Sequence, residues 1–237
     1  MQDSKLIIGI SSRALFDLDE SHEIYKKHGL KSYEEYQIDN EDKTLKPGQA
    51  FSLVNKILNI NDLYDGDDRV EVILLSRNTS DTGLRIRNSI EDHNLNISRA
   101  AFTRGESTHP FVGAFEADLF LSSNYNDVQK ALKSGYAAAS IIESKSNHSH
   151  PSQLRIAFDG DAVIFSDESE KIFQEKGLEA FHENEVLSEK IKLKAGPFKS
   201  FLVSLQKIQS TFPEENNPIR TALVTARSAP AHKRVIH

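Results

Sequence analysis

Two carboxylates, Asp159 and Asp161, close the apolar run Leu154-Arg-Ile-Ala-Phe-Asp-Gly-Asp-Ala-Val-Ile-Phe165 with one glycine between them. Ionised neighbours of this kind repel, and a divalent cation that neutralises both is the usual means of keeping them charged. A hard ion such as Mg²⁺ beside a phosphate suits the pair. One carboxylate can then attack phosphorus and become an aspartyl-phosphate, a recognised covalent route for this side chain. The chemistry needs both acids at the carboxyl end of a strand, where open α/β sheets place their ligands.

Strands and helices alternate along the first half. Strands are expected near 6–10, 70–75, 97–102, 118–122 and 137–142, and helices near 20–36, 49–60, 82–92 and 125–134. Such alternation indicates a mostly parallel sheet covered by helices on both faces. Gly29-Leu30 and Gly177-Leu178 read as helix ends with a following hydrophobic staple. The polar, breaker-rich stretch from Glu143 to Ser152 reads as a boundary.

The halves also match each other. Displaced by 148 positions, residues 11–36 fall on 159–184 with eight identities, among them Asp19/Asp167, Ser21/Ser169, Gly29/Gly177 and Glu35/Glu183. The same offset pairs Leu45-Lys-Pro-Gly48 with Leu193-Lys-Ala-Gly196. In-register identity above the one or two expected at random points to an internal repeat. The expected domains are 1–147, a linker at 148–152, and 153–237 with a helical cap over about 166–219. The second copy stops inside the helix after Thr225, which leaves an open sheet edge and allows self-association into a homo-oligomer.

Composition narrows the function classes. A net charge of −6 and a pI near 5.9 argue against a nucleic-acid scaffold, which needs a basic face. The absence of cysteine excludes disulfides and thiolate metal sites. No run is apolar and long enough to span a bilayer or act as a signal peptide, so no membrane partner is expected and the expected compartment is the cytoplasm. Asp65-Gly-Asp-Asp68 lacks the spaced ligands of a calcium loop and reads as a surface turn. His148 and His150 read as linker residues rather than zinc ligands.

Asp159-Gly-Asp161-Ala-Val163 after a strand resembles the first signature of haloacid-dehalogenase-type phosphohydrolases. The wider strings AFDGDAVIFSDESE, GPFKSFL and PIRTALVTARSAPAHKRV resemble the cytosolic 5′-nucleotidase type I family, as do ISSRALFDLDE, LLSRNTSDTGLRIRNSI, AFTRGES and ADLFLSSN in the first half. The resemblance is collinear over essentially the whole chain. It implies an α/β fold of two tandem HAD-like (Rossmannoid) parallel-sheet units with helical cap insertions, the second incomplete. It also implies Mg²⁺-dependent hydrolysis of nucleoside 5′-monophosphates, AMP-like ones in particular.

On that resemblance Asp159 is the nucleophile, Asp161 the general acid/base, and Thr225 the hydroxyl that hydrogen-bonds the phosphoryl group, with Mg²⁺ held at Asp159 and position 161. The family's later lysine and acidic pair lie beyond His237, and Lys199 does not replace the lysine. In the first copy Ser11 and Arg13 stand where the second has its acids, and Ser122-Ser123 where the family's acidic pair would be. That copy is expected to be degenerate: a scaffold, or an anion-binding pocket formed by Ser11, Arg13, Ser76, Arg77 and Asn78. Two other function classes follow from the same residues: a non-catalytic nucleotide-binding regulator, and one half of a split enzyme.

Overall fold

The computed structural model describes residues 5–64, 68–143, 152–188, 191 and 193–225, with the main chain alone at Asp161, Ala162 and Glu170. The expected linker at 148–152 lies almost wholly outside these residues, as do His148, His150 and most of the Asp65–Asp68 turn. Contacts divide the chain into Met1–Ser152 and Gln153–His237.

The first unit begins with β1 (Leu6–Ser11), α1 (Ser12–Leu15), α2 (Asp19–Asp39) and α3 (Phe51–Leu58). It continues through β2 (Val70–Ser76), α4 (Leu84–Asp92), β3 (Ala100–Phe102) and α5 (Pro110–Ala114) to β4 (Leu119–Ser122), α6 (Tyr125–Lys133) and β5 (Ala138–Ser140). Its strands form a parallel sheet ordered β3-β2-β1-β4-β5. The chain winds outward from β1 through β2 to β3, then returns to the other side of β1 for β4 and β5. The carboxyl ends of β1 and β4 therefore flank a topological switch point, the place where such sheets bind ligands.

Burial on both faces explains the composition of the central strands. In LIIGIS and VEVILLS, Leu6, Ile8, Ile10, Val72, Ile73, Leu74 and Leu75 are all buried, a near-continuous apolar run rather than an alternation. Val112, Phe120, Val128, Ala131 and Ala138 complete one core with Ile73 and Leu75. Helix α3 buries Val54, Ile57 and Leu58, and α4 buries Ile86 and Ile90.

The second unit has β6 (Leu154–Asp159), a π turn (Gly160–Ile164), α7 (Glu168–Leu187), α8 (Lys199–Gln209) and β7 (Ile219–Val224). Strands β6 and β7 pair in parallel. Beyond Ile219 every residue of β7 is exposed, with Leu223 at 47% and Val224 at 57%. Helix α8 buries Phe201, Leu205 and Ile208, and Phe201 meets Phe158 of β6 at a ring distance of 6.0 Å. Within the segment expected as a cap, 166–219, helix α8 thus packs on β6 through Phe201. Among the described residues no helix is long and apolar enough to cross a membrane.

Local geometry recurs between the units. Helix α2 breaks at Gly29 (φ 82°, ψ −174°) and α7 breaks at Gly177 (φ 82°, ψ −177°), values that disfavour any residue with a Cβ. Each glycine ends one helical segment, as its sequence suggests, but the expected staple is absent because Leu30 and Leu178 are both 58% exposed. Phe16 bridges Pro47, and Phe165 bridges Ala195. The last pairing departs from the ungapped match by one position. The N–H of Phe16 donates to the Ser12 carbonyl four residues back, whereas the N–H of Phe165 donates to the Gly160 carbonyl five residues back. The π turn holds an extra residue, and the offset of 148 returns by the buried pair Ser21 and Ser169. Arg13 and Ser12 thus both answer to Asp161, one counted from the strand and the other from the phenylalanine.

Gly48 supplies a direct test of this packing. A Cβ there would lie 2.7 Å from the Phe16 carbonyl carbon and 2.9 Å from the Ala14 oxygen, both main chain. Gly48→Ala is expected to destabilise the protein by about 1–3 kcal/mol in denaturant titration.

Candidate functional site

In the second unit the strand ends bring two of the expected catalytic residues together. Asp159 closes β6 with its side chain exposed, and its Cα is paired in register with Val224, the last residue of β7. Thr225 follows directly. A Cβ built on Gly160 would sit 3.7 Å from the Thr225 Cβ, so the hydroxyl-bearing residue borders the turn that leads to Asp161. Asp161 itself lies in the π turn, a local form that recurs at functional sites. Its side chain is outside the described residues.

Among the described residues no group of three metal-ligating side chains is gathered. Asp159 provides one carboxylate at an accessible strand end. Mg²⁺ commonly uses only one or two protein carboxylates, with water and substrate phosphate completing its octahedron, so the donors present fit the ion in this minimal way.

The first unit carries a cavity of about 460 Å³ at the carboxyl ends of β1, β2 and β4. That size is ordinary for a small-molecule site. Its lining includes Ser11, Arg13, Ser123 and Asn124, with His22 and Tyr25 before the break in α2 and Tyr33 after it. The main-chain N–H of Ser123 donates to Ser11 Oγ at 3.3 Å across the switch point. Of the five expected binding residues, Ser11, Arg13, Arg77 and Asn78 line this cavity. Ser76 is fully buried beneath it, 3.1 Å from Ser12 Oγ, and accepts the Asn78 N–H.

The two arginines differ in availability. Arg77 is committed to the protein: Nε and Nη2 donate to Asp127 at 2.8 and 2.6 Å, and Nη1 donates to the Gly105 carbonyl at 2.8 Å. Asp127 also accepts from Ser107 Oγ at 2.5 Å. Burial would raise the Asp127 pKa, but the bonds from Arg77 and Ser107 outweigh it and hold the carboxyl below its ordinary value. The bonds to Asp127 in turn raise the Arg77 pKa. Arg13 instead pairs with Asp19 at 2.8 Å on the surface, the aspartate 78% exposed, an interaction that constrains little.

Other parts of the wall are equally determined. Tyr33 donates to Asn78 and accepts from Gln37, and its burial raises the phenol pKa, so it stays neutral. Desolvation, with Arg13 and Lys26 nearby, lowers the His22 pKa and favours the neutral ring. Arg104 and Gly105 both take left-handed conformations (φ 52° and 90°), at a cost of about 1 kcal/mol or more for the arginine. Their N–H groups donate to the Asn78 and Arg77 carbonyls, so the β3 loop is fastened to the β2 loop.

The model of the 5′-nucleotidase family matches residues 1–237, the entire chain. The chain belongs to the 5′-nucleotidase family. Human cytosolic 5′-nucleotidase 1B is 38% identical over 234 residues, which is 94% of this chain and 38% of the relative. The chain thus spans well under half the length of that curated relative. No solved structure matches. The parallel five-stranded sheet with its helices is the α/β fold that the sequence suggested.

Sequence reasoning missed Asp127, Tyr33 and Thr108 as pocket residues. Only Asp127 left a local trace, since it follows Asn124 by three residues and donates its N–H to that N-cap side chain. The Arg77–Asp127 pair makes a measurable pH claim. A depressed folded-state pKa contributes stability above the unfolded value, about 3.9, that is lost as pH falls through the folded value. Asp127→Asn is expected to cost about 1–3 kcal/mol at neutral pH and to flatten the loss of stability below about pH 4 in urea titrations.

Proposed function

We propose that this protein hydrolyses nucleoside 5′-monophosphates to nucleoside and phosphate through an aspartyl-phosphate on Asp159. The observation that supports it most is the adjacency of Asp159, Gly160 and Thr225 at the ends of two paired parallel strands, in a chain of this family. Asp159 attacks phosphorus as the bond to the ribose oxygen breaks, and Asp161 delivers a proton to that oxygen. Asp161 then takes a proton from water, whose oxygen attacks phosphorus and releases phosphate, restoring Asp159. Thr225 donates a hydrogen bond to the phosphoryl oxygens and fixes their orientation. Mg²⁺, held at Asp159, Asp161 and the main chain at 161, would supply neutralisation of the phosphoryl charge.

The wider reading is of two tandem HAD-like units, the first without the carboxylates, with residues of about 166–219 as the helical cap of the second. The shared breaks at Gly29 and Gly177 support it, and so do the buried equivalents Gln37 and Glu185. The exposed β7 edge supports association between copies. The relative is named as cytosolic, and the cytoplasm is the compartment this reading carries.

Phosphate release from AMP is the test. We expect release by the protein with Mg²⁺, abolished by EDTA and reduced roughly a thousandfold or more by Asp159→Asn. Equal release by the two proteins would remove Asp159 as nucleophile.

A further inference from the structure

We propose that the strand-end cavity of the first unit binds a nucleoside phosphate without metal and without turnover. This inference does not rest on hydrolysis at Asp159, because every residue it uses lies between Ser11 and Asp127.

The charges in the lining favour an anion over a metal. Three guanidiniums, those of Arg13, Arg77 and Arg104, face two carboxylates, Asp127 and Glu34. Asp127 is already neutralised by Arg77, so among the described lining residues the strand ends offer a divalent ion no uncommitted carboxylate. Arg104 makes no ion pair among the described residues, and Arg13 has only its surface partner. With the hydroxyl of Ser11 at the switch point, these two side chains form a charge-assisted cradle for a phosphate.

A second observation points to a missing partner. Thr108 lines the cavity, is 1% exposed, and its Oγ1 has no hydrogen-bond partner among the described residues. A buried hydroxyl left unsatisfied is costly, and a polar ligand in the cavity would complete it. The opposite wall suits a base. Tyr25 is 48% exposed and stacks on His22 at 6.2 Å and 18°, which leaves an aromatic face for a heterocycle.

Calorimetry in EDTA tests the assignment with AMP, inorganic phosphate and adenosine as probes. AMP is expected to bind the protein and its Asp159→Asn variant equally, with adenosine at least about tenfold weaker. Arg104→Ala is expected to weaken AMP about tenfold. Thr108→Val, which keeps shape and removes the hydroxyl, is expected to weaken it about fivefold while leaving thermal stability intact or raised. Loss of AMP binding in EDTA or in Asp159→Asn would assign it to the other unit. Unchanged affinity in both Arg104→Ala and Thr108→Val would overturn the site, as would adenosine binding as tightly as AMP. Phosphate binding with no AMP binding would overturn the nucleoside part. Should Arg104→Ala not fold, the valine variant decides alone.

Discussion

Parallel pairing forces every strand of a sheet to end on the same side, and in the first unit one ion pair organises what happens there. Arg77 leaves β2, Asp127 opens α6 after β4, and Gly105 and Ser107 belong to the loop after β3; all four are joined through the same guanidinium and carboxylate. Separate loops, each with its own conformational freedom, become one rim around a cavity. Because Asp127 is buried, either partner left alone would be an uncompensated charge, so the rim keeps its shape. Arg77, which the sequence offers as a ligand for anions, spends its donors within this rim, while Arg13 has a surface partner and Arg104 has no ion pair among the described residues.

The two units solve the same geometric problem with different chemistry. Both have a parallel strand pair, a turn, a helix broken at a left-handed glycine, and a return through a glycine pressed against the main chain. Where the first places hydroxyls and a guanidinium, the second places carboxylates, one of them inside a turn one residue longer. Hydroxyl and guanidinium groups accept an anion directly. Carboxylates require a cation in between and can react with phosphorus in return.

Legibility in the sequence followed the range of the interactions. Strands β1, β2 and β4 were readable because burial on both faces demands uninterrupted apolar runs, and Gly29 because a left-handed break needs glycine. No local spacing within Lys199–Gln209 names its partner, so the meeting of Phe201 with Phe158 had to come from the fold. The π turn left no trace, since Gly160–Ile164 has the same residue types as an ordinary turn. Asp127 and Arg77 stand 50 residues apart, and no local spacing links them. Thr108 looked like any loop threonine until its hydroxyl proved buried, with no hydrogen-bond partner among the described residues.

The central claim is that phosphorus passes through the side chain of residue 159. Peptide mass spectrometry of protein quenched in acid during incubation with AMP and Mg²⁺ tests it most directly. The account predicts a phosphoryl group on the peptide that carries Asp159, absent when the ion is chelated. Phosphate released with no modified peptide, or a phosphoryl group on a different residue, would contradict it.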